Sequence, residues 1–282
     1  MIVMDMNANL KWRIGKSKMA QYFIVGLAFL CLIPLALVLF YIFKKGIGSI
    51  NWHFLSSEQM SGGIWNGILG TLIIVPVSAL IAIPIGIMGG IYLSEYKQQK
   101  FAIWVSTCVD IIQGIPSIVL GIIGYLWLVL PMHGQHSALS GSVALAVMML
   151  PIIIRSTEET LKLIPDTLKE ASYALGVPFQ RTMWKVIVPC GFNGIISGIM
   201  LGVSRISGEA APLLFTAFGN PFVQNNIFKE MGSLPLIIVD ASRNPSPETQ
   251  AQAWGTSLIL LVIIFVLNIL TKLLTSRWKV QL

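Results

Sequence analysis

The stretch Ile164-Pro165-Asp166-Thr167-Leu168-Lys169-Glu170-Ala171-Ser172-Tyr173-Ala174-Leu175-Gly176-Val177-Pro178, continued by Phe179 through Pro189, is a polar interruption between two long apolar runs. Thr167 and Glu170 stand at capping-box spacing and predict a helix start, while Gly176 followed by Pro178 predicts its end after about two turns. A second short helix is expected to follow and to end before Pro189. Ala171 and Ala174, three apart, give one helical face little bulk, so another protein's surface can approach the backbone there. The loop reads as built to dock.

On either side the chain is made for lipid. Residues 141–154 are apolar and run on through Arg155-Ser156-Thr157-Glu158-Glu159 into the loop, and residues 191–215 lead away from it. Further apolar runs occupy 19–43, 64–93 with Pro76 and Pro84 as expected kinks, 101–130 interrupted by Gln113-Gly114-Ile115-Pro116-Ser117, and 254–274. A bilayer core needs roughly 20 apolar residues per helical span. With 55% hydrophobic residues, 11% charged residues and a mean hydropathy of +0.78, the expected fold is an all-α integral membrane protein of about six transmembrane helices. Unbroken runs of this length exclude the period-two alternation of a membrane β-barrel. The run at 19–43 exceeds the roughly 7–15 residues of a signal-peptide core and is expected to remain as an anchor.

The net charge of +7 follows from topology and requires no nucleic acid. Six spans starting from a cytoplasmic amino terminus put segments 1–18, 94–100, 161–189 and 275–282 inside. Lys11, Arg13, Lys16, Lys18, Lys97, Lys100, Lys162, Lys169, Arg181, Lys185, Arg277 and Lys279 then fall inside, against Lys44, Lys45, Lys229 and Arg243 outside. Both termini are expected to be cytoplasmic. The expected layout is an amino-terminal segment 1–18, an anchor helix 19–43, a transmembrane domain 60–275 containing the docking loop 161–189, and a tail 276–282. Cys31, Cys108 and Cys190 have no metal-type spacing, and no metal site is expected. His53, His133 and His136 fall in outer loops with no catalytic motif around them.

Charges inside the apolar runs cost about 2.5–3.5 kcal/mol each at a span's centre, so they point to function. Arg155 and Glu158 are three apart and share a face; Arg205 and Glu209 are four apart in the fifth run. Asp110 is a lone carboxylate, expected to partner one of the arginines. Gly194, Gly198 and Gly202 recur every four residues as a close-packing stripe, with Arg205 and Glu209 projecting near it. Two guanidinium forks that converge suit a tetrahedral oxyanion. Glu158 can help distinguish phosphate, which keeps a proton near neutral pH, from sulfate, which does not.

Glu170-Ala171-Ser172, Gly176 and Val186-Ile187-Val188-Pro189 resemble the signature loop of bacterial ABC importer permeases, with Ser172 in place of a second Ala. Gly208-Glu209-Ala210-Ala211-Pro212-Leu213-Leu214 is similar to the Gly-Glu-Thr-Ala-Pro-Leu-Leu run of that family's phosphate-specific members, with Ala210 replacing the Thr. Pro116-Ser117-Ile118-Val119, Arg155 with Glu158, and Arg205 extend the likeness across residues 60–275. The resemblance implies a type I ABC importer permease architecture, with Arg155, Glu158, Arg205 and Glu209 on the phosphate path and Glu170, Ala171, Gly176 and Pro189 in the ATPase-coupling loop. It also implies a second homologous permease, a cytoplasmic ATP-binding subunit dimer, an extracytoplasmic phosphate-binding protein, and a bacterial inner membrane.

No cofactor is expected on the chain itself, and ATP and Mg are expected to be used by the partner ATPase. Gly15-Lys16-Ser17 imitates the end of a phosphate loop, but Leu10 stands where its first Gly is needed, so the chain is read as a transport subunit and not as an enzyme. The alternatives are a permease for another oxyanion, sulfate or molybdate, and an ion-coupled anion carrier. The carrier would favour paired inverted repeats, which the sequence does not display.

Overall fold

The computed structural model describes residues 2–276, and among them there is helix and no strand. Helix α1 (Ile2–Gly46) joins the expected amino-terminal segment and anchor into one rod. It meets the rest of the chain at its far end, where Tyr41 lies 6.3 Å from Trp254. A Cβ on Gly46 would sit 2.8 Å from the Trp254 carbonyl oxygen, so only glycine permits that approach. Of the expected tail, residues 277–282, with Arg277 and Lys279, lie outside the described residues.

The centre is a pair of long helices, α2 (Trp65–Glu95) and α5 (Ala138–Lys162). Small residues let them touch: a Cβ on Gly90 would fall 2.4 Å from that of Thr157. Ile74, Ala82, Leu145, Met149, Ile153 and Ile206 are buried between α2, α5 and α8 (Phe192–Ser207). α5 is mostly enclosed by protein, which is why it tolerates more polar side chains than the lipid-facing α1.

The third apolar run is two helices, α3 (Lys100–Gly114) and α4 (Ser117–Gly124), with α4 continuing through a π-helical and a 3-10 turn to Met132. They meet at 106°, a sharper break than a simple interruption. Pro116 causes it: the residue before a proline is pushed out of the helical region, and Ile115 has φ −73° and ψ 132°.

The docking loop holds α6 (Asp166–Ala174) and α7 (Phe179–Thr182). The expected capping box is absent: Pro165 occupies the cap position and no side chain caps the helix. The stop is as expected. Gly176 has φ +74°, its N–H donates to the Tyr173 carbonyl at 2.9 Å, and that of Val177 donates to the Ser172 carbonyl at 3.2 Å, a Schellman closure. The second helix overruns its predicted end, continuing through a π-helical turn to Cys190, so Pro189 lies inside it.

This segment turns by 71° into α8. α8 stops at Ser207, and the chain breaks at Gly208–Ala210 before the short α9 (Ala211–Thr216). Glu209 therefore lies in the break and not on a continuous fifth helix. The expected outer loop contains α10 (Leu234–Arg243), whose buried Leu234, Leu236 and Ile237 pack onto the molecule. Thr71 Oγ1 of α2 accepts from the Leu234 N–H at 3.0 Å and so caps it. α11 (Pro247–Ser276) closes the bundle, and Ser204 Oγ of α8 donates to Asn268 Oδ1 of α11 at 2.9 Å. Four helices are long and apolar enough to cross a membrane, and the two bent pairs bring the total to six.

Candidate functional site

About two turns at the end of α5, from Arg155 to Lys162, assemble the charges. Arg155 donates from Nε to Asp110 Oδ1 on α3 at 3.1 Å, from Nη1 to Glu158 Oε2 at 2.7 Å, and from Nη2 to Ser106 Oγ at 2.8 Å. Nη2 also bonds Asp110. Every guanidinium nitrogen thus has a protein partner. The pairing of Arg155 with Glu158 and the recruitment of Asp110 agree with the spacing argument.

Glu158 is buried, with 6% of its side chain exposed, and is held at both ends. Its Oε2 takes Arg155, and its Oε1 accepts from Lys162 Nζ at 2.5 Å. Lys162 was not among the sequence-derived site residues; its signal was its position four residues after Glu158. Opposite charges this close offset the desolvation of the buried carboxylate.

Arg205 reaches the same region from α8. It and Arg155 line one cleft of about 690 Å³, together with Gln113, Ser156, Glu159 and Ser204. The two guanidinium groups differ in commitment. Arg205 has 54% of its side chain exposed and its ion pair with Glu209 is long, at 3.8 Å. Arg205 and Glu209 are one helical turn apart in sequence, and the break at Gly208 loosens their pairing.

The glycine stripe sets the distance between the two arginine-bearing helices. A Cβ on Gly194 would lie 2.2 Å from Thr160 Oγ1, and one on Gly198 2.2 Å from Ser156 Oγ. The stripe faces α5, and Arg205 stands at the edge of that contact, on the cleft side.

The docking loop is tied to the bundle by a charge. Lys169 of α6 donates from Nζ to Glu95 Oε1, the last residue of α2, at 2.6 Å, with 16% and 12% of the side chains exposed. Burial lowers the affinity of Lys169 for its proton, but the hydrogen bond and charge of Glu95, helped by Asp166, outweigh it and hold the ammonium above its ordinary pKa. Ser172, where the signature has Ala, shares a 2.8 Å hydrogen bond with Thr182 and links α6 to α7. Glu170, Ala171, Ala174 and Gly176 stay exposed on the loop. Leu163 and Leu175 project beside them, 84% and 83% exposed.

A family profile described as "Binding-protein-dependent transport system inner membrane component" matches residues 82–280. The chain belongs to this family. The phosphate transport system permease protein PstA 1 of Mycobacterium tuberculosis H37Rv is 34% identical over 269 residues, covering 92% of this chain and 87% of that one. The PstA proteins of Yersinia pestis and Haemophilus influenzae are 34% and 33% identical and cover 95% and 98% of this chain, and 92% and 100% of their own lengths. Among solved structures, the inward-facing MetNI methionine ABC transporter aligns with a TM-score of 0.67 at 22% identity, covering 79% of this chain and 100% of that one. The fold is that of an ABC importer permease.

Proposed function

We propose that the chain is the permease subunit of an ATP-driven importer of inorganic phosphate and forms half of its membrane pathway. The observation that carries the reading is the cleft shared by Arg155 and Arg205, two positive forks on helices apolar enough to span a membrane, in a chain similar to phosphate-transport permeases. Arg205, the less committed of the two, receives the anion first. Arg155 joins when Asp110 releases its fork, and α3, set off from α4 by the bend at Pro116, is the element that moves. Glu158 orients Arg155 and Lys162.

The chain works beside a second homologous permease, with a phosphate-binding protein on the side of α10 and an ATPase dimer under α6 and α7. ATP and Mg belong to that dimer. Both termini and the docking loop lie in the cytoplasm, and residues 60–275 form the transmembrane domain. The open faces of Ala171 and Ala174, with Leu163 and Leu175, support a docking role. ATPase closure reaches the bundle through Lys169 and Glu95.

Uptake of labelled phosphate by cells carrying Arg205→Ala tests the reading. Loss of an arginine–oxyanion contact is expected to reduce uptake about tenfold or more at matched expression. Uptake equal to wild type, or wild-type uptake abolished by excess sulfate, overturns it.

A further inference from the structure

Arg155 stands in the wall between two clefts. Besides the one it shares with Arg205, a second of about 320 Å³ opens toward the docking-loop end, between α3 and the ends of α2 and α5. Lys97, Ser106, Thr107, Glu158 and Lys162 line it with Arg155. Three cations face one carboxylate there, and counting Asp110 behind the guanidinium still leaves one net positive charge.

Its donors are only partly used. Lys97 makes no ion pair among the described residues, and Lys162 bonds Glu158 with one of three ammonium protons. Ser106 Oγ accepts from Arg155, leaving its own proton to donate. An anion on the Arg205 side therefore has a second set of donors within reach of the same guanidinium, nearer the cytoplasmic end.

We propose that this second cleft is a release station, in which inorganic phosphate is held by Lys97, Lys162 and Arg155 after it leaves Arg205. The proposal rests on the phosphate reading above. A station open to the cytoplasm must also fill from that side, so cytoplasmic phosphate should slow its own import. An anionic lipid headgroup carries the same phosphate chemistry and is the competing occupant.

The test uses the complete transporter in vesicles with the ATPase facing outward and labelled phosphate with its binding protein inside. Label release is measured against unlabelled inorganic phosphate added outside. Wild type is expected to be inhibited. Relative to its own uninhibited rate, Lys97→Gln should need about tenfold more phosphate for the same inhibition, the weight of one charge-assisted contact, while Lys97→Arg should behave as wild type. ATP-driven release with no inhibition, or with equal inhibition in wild type and Lys97→Gln, overturns the release station alone. A wild type that moves no phosphate removes the importer reading and the station with it. Repeating the assay with and without phosphatidylglycerol separates the lipid: a requirement for that lipid lost in Lys97→Gln, with inhibition unshifted, overturns the station.

Discussion

Arg155 and Arg205 are chemically identical, and their surroundings divide the work. Arg155 has a protein partner on each nitrogen, from Asp110, Glu158 and Ser106, and keeps one Nη1 proton to donate, whereas Arg205 has one long ion pair. Glu158 sits between two cations, and its two oxygens already accept from Arg155 and Lys162. Glu158→Gln is expected to lower phosphate uptake about tenfold or more, because two charge-assisted hydrogen bonds weaken together, and to leave sulfate excluded. Competition of labelled phosphate uptake by sulfate measures this; new inhibition by sulfate would instead assign Glu158 the proton-accepting role. Arg155, Glu158 and Asp110 were legible as charges out of place in apolar runs. Lys162 was not, because a lysine at the end of a span is accounted for by topology, and only its contact reveals the second role.

At the scale of elements, apolar length located the helices but not their bends. The interruption at Gln113–Ser117 marked where the run at 101–130 divides but not the 106° turn that Pro116 makes there, and nothing in the apolar pattern marked the break at Gly208 in the fifth run. The start of α6 was misread because Pro165 sets the backbone for a helix without any side-chain cap, leaving Thr167 and Glu170 at the right spacing with no cap to form. Its end was legible, since few residues other than glycine accept φ +74°. Ser172 and Thr182 allow a direct test of how the two docking helices are joined. Ser172→Ala, which leaves the buried Thr182 hydroxyl unpaired, should cost about 1–3 kcal/mol, and adding Thr182→Val should recover most of it. Thermal midpoints of the purified complex report both. Gly194→Val forces a side chain against Thr160 and should destabilise α5–α8 packing by about 1–3 kcal/mol in the same assay.

For the whole molecule, the ion pair between Lys169 and Glu95 connects the exposed docking surface to the central helix pair. Glu95→Gln is expected to leave ATP hydrolysis by the complex in place and to reduce phosphate moved per ATP, measured in one reconstituted preparation; an unchanged ratio would remove the pair from coupling. The pH dependence has a defined sign. Lys169 has its pKa raised in the folded chain, so its contribution to stability is complete below the unfolded value near 10.4 and fades as pH rises through the folded one. The difference in thermal midpoint between wild type and Glu95→Gln should therefore be constant from about pH 7 to 9 and shrink above about 10.5.

Among the described residues α1 meets the bundle near Tyr41 and Gly46, and its apolar length from Lys16 onward is otherwise bare. The family profile begins at residue 82, after this helix ends, whereas the alignment with the Haemophilus influenzae relative covers 98% of the chain and so takes the helix in. A rod held at one end leaves its apolar length to lipid and neighbouring chains, while the arginine clefts are lined by other elements.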